Sequence, residues 1–253
     1  MAKVLLAGDH ITDIYQFGEV SRLCPEAPVP VFTPGRIERR EGGAGLVAAN
    51  LRRFGLDVNA RYCSESIKTR YFHGRHLLFR VDQDNCNAFY TGINPSLDGC
   101  DAVVVSDYNK GGITDSLART LCQYTKVPVF VDTKRHQPDV YAGCFAIFPN
   151  QAEFPLLGDT AQYQHVVHKT GAEGCWLDDQ LVPAERQEEY DVTGAGDIFL
   201  AAFVAAYLQG EPLQQCAYVA NKAAAISVKH IGGYILTAAD VASLRLSTGG
   251  CAQ

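Results

Sequence analysis

The stretch Asp191-Val192-Thr193-Gly194-Ala195-Gly196-Asp197 sets two glycines around an alanine, places an acid directly after them, and runs into an apolar segment from Ile198 to Leu208. Gly210 and Pro212 beyond that segment are the usual stop signals of a helix. A glycine turn feeding a helix N-terminus leaves backbone N–H groups without partners inside the helix. Together with the helix dipole they make a site for anionic oxygen, phosphate above all. Asp197 falls in the first turn, where it could take a proton from a substrate hydroxyl while the amides hold charge developing on a transferred phosphoryl group. The competing interpretation is a helix capped through Thr193 with an acid in its first turn and no chemistry; spacing alone leaves the two level. The dinucleotide fingerprint does not fit, because its third glycine would fall at Phe199 and Gln187–Val192 makes a poor buried strand. No GxxxxGK[ST] loop occurs, so a phosphate transfer here would not use the P-loop design.

DVTGAGD followed by an apolar helix resembles the signature of the ribokinase-like (PfkB) carbohydrate kinases. The resemblance implies that Gly194, Ala195 and Gly196 form an anion hole and that Asp197 is the catalytic base. Within the family the likeness is nearest to the kinases that phosphorylate heptose 7-phosphate at its anomeric hydroxyl.

Positioning such groups takes a scaffold, and a chain of 253 residues, 47% of them hydrophobic, can bury one large core. Strand patterns at Lys3–Gly8, Asp101–Ser106, Val127–Val131 and Tyr163–His168 alternate with helical ones at Leu46–Phe54, Asp115–Tyr124, Ile198–Leu208 and Leu213–Val228. The alternation argues for a parallel sheet with helices on both faces. The polar, proline-containing residues after Asp13 suit edge strands of a small β lid, and Lys68–Asp82 reads as a hairpin turning near Gly74. A net charge of −6 gives no general attraction to nucleic acid or an anionic membrane. The longest apolar run, Ile198–Leu208, is far short of the roughly 20 residues of a membrane span. The nine cysteines are odd in number and include no CxxC pair, so they read as reduced thiols of a soluble, cytoplasmic protein. His165 and His168, three apart in a strand, face opposite sides, which argues against a shared metal.

The resemblance assigns further residues. Gly8-Asp9 through Asp13, Gly18 to Arg22 and Pro25 to Val31 are similar to the opening of the heptose kinases, with Asp13 matching an acid that binds sugar hydroxyls. Gly42 and Gly43 match a double glycine at the sugar; Leu46 stands where the subgroup usually has asparagine, and Asn50 lies a turn further on. Ser106 to Gly111 and Asp132-Thr133-Lys134 match strand-end loops and place Asp107 and Lys110 at the acceptor and Lys134 at the nucleotide. Asn150 and Glu153 match the N-x-x-E element, which acts on magnesium and phosphate through water. Lys169, Thr170, Gly171 and Gly174 resemble the nucleotide loop, Asn221 matches a position near adenine, and Gly232 lies in the closing nucleotide-site loop. Arg70 and Arg80, with Lys68, could meet an acceptor phosphate from the lid. Two helical units of the family are missing, one between Arg61 and Ile67 and one after Glu153.

The expectation is therefore a single ribokinase-like α/β domain over residues 1–253, a doubly wound, mostly parallel sheet with lid segments at about 14–40 and 67–92. It would use ATP and Mg2+ to phosphorylate a sugar or sugar phosphate, a heptose 7-phosphate first, and would pair as a homodimer through the lid. The alternatives are a kinase for another sugar and a reduced homologue that binds nucleotide or sugar without catalysis.

Overall fold

The computed structural model describes residues 1–85, 99–123, 126–185, 187 and 190–244. Its strands in chain order are β1 (Lys3–Leu23), β2 (Pro30–Gly43), β3 (Asp57–His73), β4 (His76–Asn85), β5 (Ala102–Asp107), β6 (Val129–Thr133), β7 (Ala146–Ile147), β8 (His165–Lys169), β9 (Gly174–Leu177) and β10 (Gln180–Pro183). The helices are α1 (Ala44–Arg53), α2 (Asp115–Gln123), α3 (Ala195–Leu208), α4 (Leu213–Ser227) and α5 (Ala238–Leu244). The sheet order is β10-β9-β8-β7-β6-β5-β1-β3-β4, with β2 paired to β1. Neighbours from β3 to β8 are parallel, and both ends of the sheet turn antiparallel.

The central strands are apolar at successive positions because both of their faces are covered. Val4, Leu6, Ala102, Val104 and Phe130 pack under α1, α3, α4 and α5. Leu5, Val103, Val105 and Val131 face the other way, onto Ala118 and Leu121 of α2 and onto Tyr141. Every residue of α3 from Asp197 to Ala206 is buried, which is why this helix reads as apolar all round.

The expected strand Lys3–Gly8 does not stop at Gly8. After a register shift between Gly8 and Asp9, β1 continues to Leu23, beside β3 and antiparallel to β2. Asp9 and Asp13 therefore lie within a strand, and not in a loop at its end. A side chain at Gly8 would stand 2.4 Å from the Ser106 carbonyl, so the bend needs glycine. β3 likewise runs unbroken from the sheet into the lid through Arg61 to Ile67, where no helical unit was expected. After Glu153 only short 3-10 turns, Phe154–Leu156 and Thr160–Gln162, lead to β8. Residues 86–92 of the expected lid segment, Tyr124 of the expected second helix and the tail from Ser247 lie outside the described residues.

The four lid strands have one charged face and one on which aromatic and aliphatic side chains mix with polar ones. The row Arg40–Asp13–Lys68–Asp82 crosses all four strands, and the row Ile37–Gln16–Tyr71–Phe79 crosses them on the opposite side. No helix is long and apolar enough to cross a membrane.

Candidate active site

Gly194 caps α3 in the left-handed region, at φ 79°, and a side chain there would strike Leu46 Cδ2 at 2.5 Å. Thr193 does not cap the helix through its side chain; the turn is held instead by Asp191, whose Oδ1 accepts from Thr193 N at 2.9 Å. The Ala195 N–H is spent on the Val192 carbonyl at 3.2 Å. Among the described residues no hydrogen bond uses the N–H of Gly194, Gly196 or Asp197. Those three amides, at the positive end of the α3 dipole, are the donors free to meet an anion.

Asp197 is 4% exposed, and both of its oxygens accept from the Tyr108 hydroxyl, at 2.8 and 2.9 Å. Burial pushes its carboxyl up to about 7, the Asp132 charge adds to the rise, and Tyr108, Lys134 and Lys169 oppose it. A carboxylate poised there can accept a proton near neutral pH. Asp132, at the end of β6, is set in the opposite sense. Burial would raise it, but the ammonium groups of Lys134, at 2.8 Å, and of Lys169 hold it at about 2. Lys134 also reaches Glu153 Oε1 at 2.7 Å. Glu153 in turn accepts from Asn150 Nδ2 at 2.7 Å and Asn150 N at 2.9 Å.

All of these groups except Glu153, which stands behind Lys134 and Asn150, line a cleft of about 560 Å³ whose wall includes Lys134, Asn150, Lys169, Gly171, Gly174, Gly194 to Asp197 and Asn221. Asn221 is fixed by donating to the Val182 carbonyl at 2.9 Å, and Thr170 closes the β8–β9 turn by donating to the Gly174 carbonyl at 3.0 Å. The cleft is bounded by a basic pair, free amides and small residues, a suitable lining for a chain of phosphates attached to a flat base.

Across Tyr108 lies the charged face of the lid. Asp13 is 3% exposed and paired with Arg70. Gly42 leaves it room, since a Cβ there would lie 2.5 Å from Asp13 Oδ2, and Gly43 turns the chain at φ 53° into α1. Lys68 Nζ stands 5.5 Å from the Tyr108 ring centre, on the lid side of that ring, and Lys134 Nζ stands 5.7 Å from it. Lys68 has no ion pair among the described residues, and burial lowers its pKa. Lys110 donates to Asp84 at 2.6 Å, tying the β5–α2 loop to β4.

Four predicted contacts sit elsewhere. Asn50 is fully buried, with its amide spent on the Leu46 and Tyr234 carbonyls and its oxygen on Leu236 N, so it joins α1 to the 234–236 segment and cannot replace the asparagine missing at Leu46. Asp107 is consumed by Arg135, by Tyr141 Oη and by Asn109 N at 2.8 Å. Gly232 packs on Tyr15, gives its N–H to Asp191 at 2.8 Å and is outside the cleft lining. Arg80 pairs with Asp82 at 2.7 Å and is half exposed.

Residues 101–239 match the pfkB family carbohydrate kinases. The chain belongs to that family. It is 31% identical to the bifunctional protein HldE of Azorhizobium caulinodans, across 95% of this chain and 64% of that one, and 30% identical to its counterpart in Photorhabdus laumondii, across 91% and 61%. The chain thus spans somewhat less than two thirds of the length of these relatives. The first alignment runs over 305 positions against 253 residues here, so the relative has segments without a counterpart in this kinase. The fold is similar to that of ribokinase from Thermotoga maritima, with a TM-score of 0.76 at 15% identity over 96% of this chain and 99% of that one. Arabidopsis thaliana ribokinase, solved with ribose and ATP, gives 0.69 at 18% over 96% and 99%.

Two residues of the cleft, Tyr108 and Asp132, are not among the site residues expected from the sequence. Both lie at the carboxyl end of a strand, beside α3 in space but far from it in the chain, and the signals were that position, where open α/β sheets put ligands, and their place inside the two loops that resemble the family. A direct metal cage is not present, since no group of three His, Cys, Asp or Glu among the described residues could hold an ion. The Asn150–Glu153 pair, already engaged with Lys134, fits a hydrated ion carried by phosphate better than a bare one.

Proposed function

We propose that this kinase transfers the γ-phosphoryl group of ATP to a hydroxyl of a sugar phosphate, and that its acceptor is a heptose 7-phosphate or close relative, phosphorylated at the anomeric hydroxyl. The observation that carries this is Asp197: a buried carboxylate with no ion pair among the described residues, standing beside free helix-end amides where the cleft meets the charged lid face. ATP lies in the cleft with its phosphates toward Lys169, Lys134 and the amides of Gly194, Gly196 and Asp197. Asn150 and Glu153 would meet a Mg2+ ion through its bound water, and the ion would supply charge neutralisation to the phosphates. Asp13, with Gly42 and Gly43, orients the acceptor's hydroxyls, and Lys68 offers a cation for its phosphate. Asp197 takes the hydroxyl proton as the new O–P bond forms and ADP leaves.

The choice of acceptor class is supported by the lid phrases that resemble the heptose kinases and by the likeness to the HldE proteins. The homodimer and a cytoplasmic location belong to the same proposal. ADP release measured over hexoses, heptoses and their 7- or 6-phosphates tests it. The expected result is turnover concentrated on heptose 7-phosphate; turnover on another sugar moves the acceptor, and silence across the panel turns the chain into a binder.

A further inference from the structure

Tyr108 is the hydrogen-bond donor to the Asp197 carboxylate among the described residues, and it reaches both oxygens at 2.8 and 2.9 Å. Its loop is pinned independently of α3. Asp9, fully buried in β1, accepts from Tyr108 N at 2.8 Å, Lys110 N at 3.2 Å and Ser64 Oγ at 2.6 Å. The ring is flanked by Lys68 from β3 and Lys134 from beyond β6. A phenol so anchored cannot follow Asp197 if the acid moves, so it fixes where the acid points.

We propose that Tyr108 is a positioning residue for the transfer: its O–H holds the Asp197 carboxylate charged and aimed at the acceptor until the acceptor hydroxyl takes its place beside it. The proposal rests on the assignment of Asp197 as the base. An O–H donated to a carboxylate favours the charged form, so removing it makes the carboxyl easier to protonate. The other groups facing Asp197 are Asp132, which raises its pKa, and Lys134 and Lys169, which lower it. From the lid, Asp13 and Lys68 face the phenol itself. Burial, the Asp197 and Asp132 charges and that hydrogen bond all hold the phenol protonated, so it remains a donor across the working range.

The test is the pH profile of kcat for Tyr108→Phe, measured with the acceptor that turns over fastest in the panel and with saturating ATP. Phenylalanine keeps the ring and its faces toward the two lysines and removes only the O–H. The expected result is an acid limb displaced upward by about one pH unit, hence a loss of up to about tenfold below the limb, with recovery toward the wild-type plateau at high pH. A uniform loss at every pH, or an unmoved limb, overturns the proposal. If the phenylalanine variant does not fold, a ring-fluorinated tyrosine at position 108, a stronger donor, moves the limb downward; an unmoved limb there overturns it equally. Asp197→Asn run alongside separates the two levels. An active Asp197→Asn enzyme removes the base assignment itself, whereas an inactive one beside an unmoved Tyr108→Phe profile removes only the role of Tyr108.

Discussion

Asp197 and Asp132 lie in one cleft, both buried, and their surroundings drive them apart: Asp197 is raised to about 7 by burial and its acidic neighbour, whereas Lys134 and Lys169 hold Asp132 at about 2 despite burial. The separation assigns their work, one carboxylate able to take up a proton at neutral pH and the other permanently charged. It also fixes a sign. With Asp197 as the proposed base, turnover needs it ionised, so kcat should fall as pH drops through about 7, while Asp132 stays charged throughout that range. The wild-type arm of the pH profile measures this, and a flat rate from pH 8 to pH 5 would contradict it. The glycine-acid run was legible in the sequence because all of its parts are contiguous. The displacement of Asn50 was not, because an asparagine one turn late looks like a substitute until its three hydrogen bonds are seen to be used up.

The glycine turn and α3 work as a unit, since the left-handed Gly194 brings the free amides and the acid to the same end of the helix. Gly194→Val puts a β-branched residue at φ 79° with its Cβ on Leu46. It should lower stability by about 1–3 kcal/mol, read as a reduced urea midpoint, and it should cost turnover more than ATP affinity, because Asp197 shifts with the turn. An unchanged midpoint and rate would show that the turn does not need its conformation. The helices were legible from their apolar spacing and their glycine stops, with Gly55 and Gly210 both at positive φ after α1 and α3. The length of β1 was not. Gly8 reads as a strand end, and only the register shift beside Ser106 shows a strand bending there and going on for fifteen more residues as lid.

On the face that carries α2, β3 passes straight into the lid and short 3-10 turns lead from Glu153 to β8. The sheet order and covered faces of the molecule follow from the alternation of strand and helix that the sequence displays. The lid's outward face has Phe79 and Val81 exposed at 47% and 40%, beside Ile37, with Tyr71 stacked on Phe79 at 4.5 Å. A lid face with exposed apolar side chains of this kind is suited to a second copy. Phe79→Asp with Val81→Asp should turn a dimer into a monomer in sedimentation equilibrium without loss of fold by circular dichroism. A wild-type chain that sediments as a monomer would remove the dimer.

In the proposed transfer, Asp197 takes the acceptor's proton beside the amides of the α3 turn. Asp197→Asn keeps the shape and the Tyr108 contact and removes the charge. ATP affinity by calorimetry should stay within about threefold of wild type, while ADP release with acceptor falls by about a hundredfold to ten-thousandfold. Phosphoryl transfer by this variant at close to the wild-type rate would contradict the account.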